Sequence, residues 1–148
     1  MFTKRRFVGK EVGKPANSET FAAALGLNTK DIGFDTFKPS RWSAGVPITF
    51  VPVGTLEAIR RCQANMAQWD TAFGQDKPGI AYLFCRETIE AGSSFHARMF
   101  APRLGVPEDP ATGAGAAAFS GVYLHFQHPP DGDHELPIEQ GYEMGDRA

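Results

Sequence analysis

The alternation of apolar and polar residues predicts a chain of short strands with a few helices. Period-two alternation and short apolar runs, both typical of strands, occur at 2–8, 31–37, 45–53, 80–85, 94–100 and 136–140. Prolines near the ends of 45–53 favour an edge strand or a bulge. The apolar run 80–85 and the alternating run 94–100 are linked by a turn-forming stretch at 90–93, so we expect the two strands to pair.

Three segments carry helical signals. Residues 17–26 predict a short helix that Ser18 caps and Gly26 ends. Residues 56–66 predict an amphipathic helix that opens at Thr55. The third helix, 113–127, follows a proline-studded loop at 101–110, and eight of its first nine residues are Gly, Ala or Ser. A glycine in a helix interior costs about 1 kcal/mol of stability relative to alanine, so its use here needs a reason. The small side chains predict that this helix is enclosed by strands, with its backbone close to other backbone or to a ligand.

Composition narrows the class of protein. The 148 residues suffice for one domain with its own core. Fifteen Lys and Arg against 17 Asp and Glu give a net charge of −2, which excludes a general nucleic-acid coat. No apolar run approaches the roughly 20 residues that span a bilayer, and no apolar segment follows the basic start. We therefore expect a cytoplasmic protein without nucleic-acid or membrane partners.

The two cysteines are interpreted as structural. They lack CxxC pairing, which indicates a reduced setting and argues against a disulfide framework or a zinc ribbon. A racemase that works with thiols needs each thiol at a helix N-terminus, where its pKa is lowered. Cys62 falls inside a predicted helix and Cys85 inside a strand, so neither position fits.

Two other motifs are rejected. Residues 113–118 match the G-x-G-x-x-A fingerprint of dinucleotide sites, but 107–112 contains two prolines and cannot form the buried parallel strand that this site needs. The histidines at 125, 128 and 134 suggest metal ligands, yet two prolines break the helix directly after His128. His96, on an alternating strand, is interpreted as a packed or surface histidine. We expect no metal and no cofactor.

The segment 108–115 leaves two interpretations open. In the first, Asp109 or Thr112 caps the helix and Pro110 fixes the turn. In the second, the two glycines of the first turn clear side chains from its free N–H groups, which then hold the carboxylate of a ligand. Asp109 would transfer a proton or orient an ammonium or hydroxyl group. Helix caps and anion sites share the same chemistry, so the residues alone do not decide.

The same segment resembles a known family. The string Glu-Asp-Pro-Ala-Thr-Gly at 108–113, within 100–113, resembles the PhzF-like isomerases of phenazine biosynthesis, and so do the stretches 24–27, 43–47 and 139–145 in the same order. The resemblance implies an α+β fold like that of diaminopimelate epimerase, with a mostly antiparallel sheet or barrel wrapped around a central helix. It implies one domain over 1–148, equivalent to the C-terminal half of the family, so the catalytic glutamate of the N-terminal half has no counterpart here.

The resemblance also implies a site. Asp109 matches the active-site aspartate, while Thr112, Gly113, Ala114 and Gly115 match the carboxylate-binding helix start. The family usually has serine where this chain has Ala114, so the amide is kept and the hydroxyl is lost. The implied activity is cofactor-independent isomerisation of a small carboxylated substrate by proton transfer, with a second copy of the chain or a complementing N-terminal half as partner. The alternative is an inactive binding or interaction domain, or a fragment of a larger enzyme.

Overall fold

The computed structural model describes residues 2–3, 10–74, 78–109, 113–130 and 133–144. The strands are β1 (Phe2–Thr3), β2 (Lys10–Glu11), β3 (Ser40–Ser43), β4 (Pro47–Pro52), β5 (Ala81–Cys85), β6 (Phe95–Ala101), β7 (Val106–Asp109), β8 (Asp133–His134) and β9 (Ile138–Gln140). The α-helices are α1 (Ser18–Leu25), α2 (Leu56–Arg61), α3 (Met66–Phe73) and α4 (Gly113–Gln127). Short 3-10 turns lie at Thr29–Asp31, Pro102–Leu104 and Tyr142–Met144.

A mixed sheet organises the fold. Within the described ranges it runs in the order β2-β3-β4-β5-β6-β7, and β9 also pairs with β6. The β4–β5 and β6–β9 pairs are parallel, and the other pairs in this sheet are antiparallel. Both β9 and β7 lie along β6: β9 pairs with its first three residues, and β7 pairs with it at Met99 and Ala101. The C-terminal ends of β7 and β9 therefore converge beside the middle of β6.

The sheet separates two apolar cores. One face packs against α1, α2 and α3 through residues such as Phe21, Ile59 and Trp69, while the other face packs against α4. Strand β5 serves both cores because alternate side chains of a strand point to opposite faces. All five of its residues are buried, with Leu83 in the first core and Phe84 in the second. The continuous apolar run at 80–85 is therefore that of a strand covered on both sides.

Phe119 anchors helix α4 on the sheet. Phe119 is fully buried, and its ring centroid lies 4.8 Å from that of Phe84 and 5.0 Å from that of Phe95. The turns before it carry only small residues, so the helix backbone lies close to the sheet where Gly115 and Ala118 are buried. No helix among the described residues is long and apolar enough to cross a membrane.

Several predicted elements are confirmed with adjusted ends. Helix α4 has the predicted bounds, and β5 pairs antiparallel with β6 as expected. Thr55 caps α2, since its side chain accepts a hydrogen bond from the amide of Ala58. The N-cap of α1 is Asn17 and not Ser18, because the Asn17 side chain accepts the amide of Thr20, while Gly26 ends the helix in the left-handed conformation as predicted.

Four predictions about local structure are wrong. Residues 31–37 form no strand, because positive φ angles at Gly33 and Asp35 turn the chain. The helix predicted at 56–66 stops at Arg61, and α3 begins with a cap from Asn65. Strand β4 is central and not an edge, since its prolines are confined to its first and last residues. The loop predicted at 101–110 contains β7.

Two predictions fall partly outside the described residues. The strand expected at 2–8 is seen only as β1, which pairs with β8, and positions 4–9 lie outside. Thr112, among the candidate site residues, also lies outside.

Candidate active site

Strand β7 delivers two consecutive acids to opposite faces of the sheet. Asp109 is paired in register with Met99, which belongs to the core beneath α4. Glu108 reaches the other face, where its carboxylate accepts two hydrogen bonds from Arg98, at 2.9 Å from Nε and 2.7 Å from Nη2. The alternation of a strand therefore gives the two acids different surroundings. Asp109 is the half-buried last residue of β7, on the side of α4.

Gln140 holds the main chain at Asp109. Its side-chain Nε2 donates a 2.7 Å hydrogen bond to the carbonyl oxygen of Asp109. Gln140 ends β9, is only 7% exposed, and lies in register with Ala97, two residues before Met99 on the same face of β6. The ends of the two converging strands are thus joined by one side chain.

The start of α4 lies four residues beyond Asp109. Gly113 and Ala114 are exposed and Gly115 is buried. A methyl group added to Gly113 would meet no atom within 4 Å, so the packing of the described residues does not require glycine there. The first amides of a helix have no partner within the helix, and its dipole gives this end a partial positive charge. The first turn of this 15-residue helix therefore suits an anion.

A row of ionised side chains supports the site from the opposite face. His96 is fully buried, and its Nδ1 and Nε2 each donate a 2.5 Å hydrogen bond, to Glu139 and Glu143 respectively. Burial alone would lower the pKa of His96, but the hydrogen bonds with Glu143 and Glu139 raise it above its ordinary value. The histidine is therefore held as an imidazolium between two carboxylates.

Glu139 is held on two sides. Besides His96, its carboxylate accepts hydrogen bonds from the amides of Ile89 and Glu90 at 2.6 and 2.9 Å. Burial would raise the pKa of Glu139, yet these two amides and His96 lower it below the ordinary value. The Glu139 carboxylate thus connects β9 to β6 and to the loop that precedes β6.

Arg98 extends the row. Besides Glu108, it donates from Nη1 to the carbonyl oxygens of Ile59 and Cys62, at 2.9 Å each, and so caps the C-terminal end of α2. Its Nε lies 3.8 Å from Glu143. Burial opposes the charge of Arg98, but the hydrogen bonds with Glu108 keep its pKa above the ordinary value. One guanidinium therefore joins α2, β6 and β7.

The cysteines lie away from any helix start. Cys62 is the residue that follows α2, not one inside a helix, and Cys85 ends β5; both thiols are free and buried. Burial raises the pKa of each to about 12. A thiol with so high a pKa is a poor nucleophile at neutral pH, which supports the structural interpretation.

His125, in the last turn of α4, makes packing contacts. The ring of the exposed His125 lies 5.5 Å from Trp42 and 4.7 Å from Phe126, in edge-on geometry. Among the described residues, no group of three or more His, Cys, Asp or Glu side chains is arranged to hold a metal ion.

Sequence reasoning proposed Asp109 and the start of α4 as the site, but it did not predict the polar contacts of the residues that pack beside and behind them. These are His96, Arg98, Glu108, Glu139, Gln140 and Glu143. One signal was available: His96 and Arg98 are polar residues two apart in an otherwise apolar strand. Such residues on a buried face need charged partners, although the sequence does not say which.

Comparisons with known proteins match most of this chain. Residues 10–148 match the family model of the phenazine biosynthesis-like proteins. An uncharacterized isomerase from Mesorhizobium japonicum is 44% identical over 133 residues, which cover 88% of this chain and 44% of that relative.

Two solved structures share the fold. The crystal structure of a PhzF-family phenazine biosynthesis protein from Bacillus anthracis aligns with a TM-score of 0.81 at 24% identity, over 94% of this chain and 46% of that one. A protein from Pseudomonas aeruginosa described as a predicted epimerase gives a TM-score of 0.65 at 23% identity, over 93% and 45%. The chain therefore spans about half the length of these relatives.

Proposed function

Because the chain belongs to the phenazine biosynthesis-like protein family, we propose that it supplies the carboxylate-binding half of a cofactor-independent isomerase. The substrate is a small carboxylated ring or amino acid, on which the enzyme moves a proton. The isomerase relative from Mesorhizobium supports the reaction class. The observation that carries the proposal is the exposed, glycine-led start of α4, four residues after the end of β7 at Asp109.

The proposed reaction removes a proton from one carbon of the substrate and returns a proton at another, so that atoms and charge balance. Negative charge develops toward the substrate carboxylate while the proton is absent. The amides of Gly113 and Ala114, with Thr112 before them and Gly115 behind them, would hold that carboxylate, and the α4 dipole would stabilise the developing charge. Asp109 would carry the proton or orient an ammonium or hydroxyl group of the substrate.

Anthranilate is a suitable probe, since it is a small ring with a carboxylate and an amino group, and aniline is its control without the carboxylate. Titration of the ¹⁵N-labelled chain with anthranilate should shift the amide signals of Gly113 and Ala114, and aniline should not. Asp109→Asn should weaken the binding of anthranilate and abolish any isomerase activity. The matched control is Asp35→Asn, because Asp35 is an exposed aspartate that pairs with Arg86, and its positive φ suits asparagine equally. If Asp109→Asn changes neither binding nor activity, the site assignment is wrong.

A second candidate function is that of a binding domain without catalytic activity. The observation that favours it is Ala114, an exposed residue at the first turn of α4 that offers an amide but no hydroxyl where the family usually has serine. Binding of anthranilate without turnover, unchanged by Ala114→Ser, would favour this candidate. Turnover that rises with Ala114→Ser would favour the isomerase.

We propose further that a partner completes the site. Leu104, which precedes β7, is 57% exposed, and Met144, which follows β9, is 41% exposed. Exposed apolar side chains in the segments next to these two strands suit a protein contact. Light scattering distinguishes the two partners: a dimer mass supports a second copy of the chain, and a monomer mass supports a complementing N-terminal half.

A further inference from the structure

The main chain at Asp109 is held by a contact that crosses between strands. The C-terminal ends of β7 and β9 meet beside β6, and the 2.7 Å hydrogen bond from Gln140 to the Asp109 carbonyl joins them. Asp109 is the last residue of β7, and α4 begins four residues later. The carbonyl that Gln140 holds therefore belongs to the last residue of β7, four positions before the proposed carboxylate-binding turn.

The strand that carries Gln140 is itself held firmly. Glu139, its neighbour in the chain, accepts hydrogen bonds from His96 and from the amides of Ile89 and Glu90. Glu143, three residues after Gln140, accepts the other ring N–H of His96. On one face of the sheet, the imidazolium thus bonds Glu139 before Gln140 and Glu143 after it. On the other face, the side-chain amide of Gln140 bonds Asp109.

We propose that Gln140 is a positioning residue of the carboxylate site: its side-chain amide fixes the Asp109 carbonyl, and the His96–Glu139–Glu143 cluster fixes Gln140. Gln140 acts through Asp109 and does not touch the ligand. The inference rests on the proposed function, because it assigns Gln140 a role at that same site. Among the described residues, the neighbours of Gln140 on the same face of β6 are the apolar residues Ala97 and Met99, which do not require an amide.

The test removes the donor and keeps the size of the side chain. Gln140→Met has nearly the same length and volume without an N–H, and Gln140→Glu places an acceptor against the carbonyl, so a folded variant is available if one of the two fails. The matched control is Gln127→Met, since Gln127 is a half-buried glutamine whose side chain bonds Arg86 and Thr36 at the other end of α4. Thermal unfolding confirms that each variant is folded at the temperature of the titration.

Anthranilate binding, followed by the amide signals of Gly113 and Ala114, provides the readout. We expect Gln140→Met or Gln140→Glu to weaken binding about fivefold, the effect of losing one hydrogen bond of ordinary strength. The Asp109 carbonyl carbon signal should shift in the Gln140 variants. Neither change should occur in Gln127→Met, although that variant also loses side-chain hydrogen bonds.

Each outcome decides a different question. If the wild type binds anthranilate and the folded Gln140 variants bind equally well, the positioning role is refuted and the proposed function stands. If Gln127→Met weakens binding as much as the Gln140 variants, the effect is general loosening and the positioning role is again refuted. If the wild type does not bind anthranilate, the proposed function fails, and the inference fails with it.

Discussion

Replacing His96 with leucine should destabilise the protein severely and in a pH-dependent way. His96 is fully buried between Glu139 and Glu143, whose side chains are only 3% and 9% exposed. Leucine removes the imidazolium and leaves two buried carboxylates facing an apolar side chain. Breaking a buried ion pair from one side costs about 3–5 kcal/mol. Because native domains are stable by about 5–15 kcal/mol, the variant should be close to unfolding.

The sign of the pH dependence follows from the two shifted groups. The pKa of His96 is raised above its ordinary 6.5, so its contribution is complete below 6.5 and is lost as the pH rises through the folded value. The pKa of Glu139 is lowered below its ordinary 4.5, so its contribution is complete above 4.5 and is lost as the pH falls through the folded value. Both contributions are therefore complete between 4.5 and 6.5, and the stability difference between wild type and His96→Leu should be largest there.

Urea unfolding, followed by fluorescence of the buried Trp69, measures this difference across pH. His125→Leu is the matched control, because the His125 ring is exposed and its ring contacts within the described part of the chain are with Trp42 and Phe126. Adding Glu143→Gln to His96→Leu should recover part of the loss, since it removes one uncompensated charge. A stability difference that stays constant or grows as the pH rises above 6.5 would refute the assignment of an imidazolium.

Three further predictions test other parts of the structure. Gly113→Ala should leave the free energy of unfolding unchanged or raise it by up to about 1 kcal/mol, because the space beside Gly113 is open. The same variant should weaken anthranilate binding, because the added methyl group occupies space at the proposed carboxylate site. A loss of stability would mean that glycine is needed for packing. Tyr82→Phe should stabilise the protein by about 1 kcal/mol in urea unfolding, because the buried Tyr82 hydroxyl has no hydrogen-bond partner among the described residues, and a clear loss would reveal one. Cys62 and Cys85 should resist a thiol reagent such as DTNB at neutral pH until the chain unfolds, because burial raises the pKa of both to about 12; reaction in the folded state would reopen the thiol interpretation.

The sequence predicted those elements whose signals are local. Helix α4 is delimited by prolines on both sides and by small residues within, so its bounds followed from the chain alone. Strand β7 was missed because Pro107 and the turn at Pro102–Leu104 are typical of a loop. The strand is nevertheless formed, since it pairs with β6 only at Met99 and Ala101, with an irregularity in register between them that a proline tolerates.

The cluster of His96, Glu139 and Glu143 was not predicted from the sequence, for a different reason. Glu139 and Glu143 are 43 and 47 positions from His96 along the chain, and only the parallel pairing of β9 with β6 brings them together. A single sequence does not reveal such pairing, because many acids could have served equally well. The sequence did indicate that His96 and Arg98, the two polar residues of β6, need charged partners.

The pair Glu108-Asp109 shows how one strand gives two neighbouring acids different surroundings. Arg98 already neutralises Glu108, and it also caps α2 through the carbonyls of Ile59 and Cys62, so Glu108 belongs to the scaffold. Asp109 lies one residue further and therefore on the face of α4, where the helix dipole is positive at its start. Shifting β7 by one residue would turn both side chains to the opposite faces of the sheet, so that Glu108 would lose Arg98 and Asp109 would leave the face of α4. The hydrogen bond from Gln140 to the Asp109 carbonyl opposes that shift, because the shift would carry this carbonyl away from the Gln140 side chain.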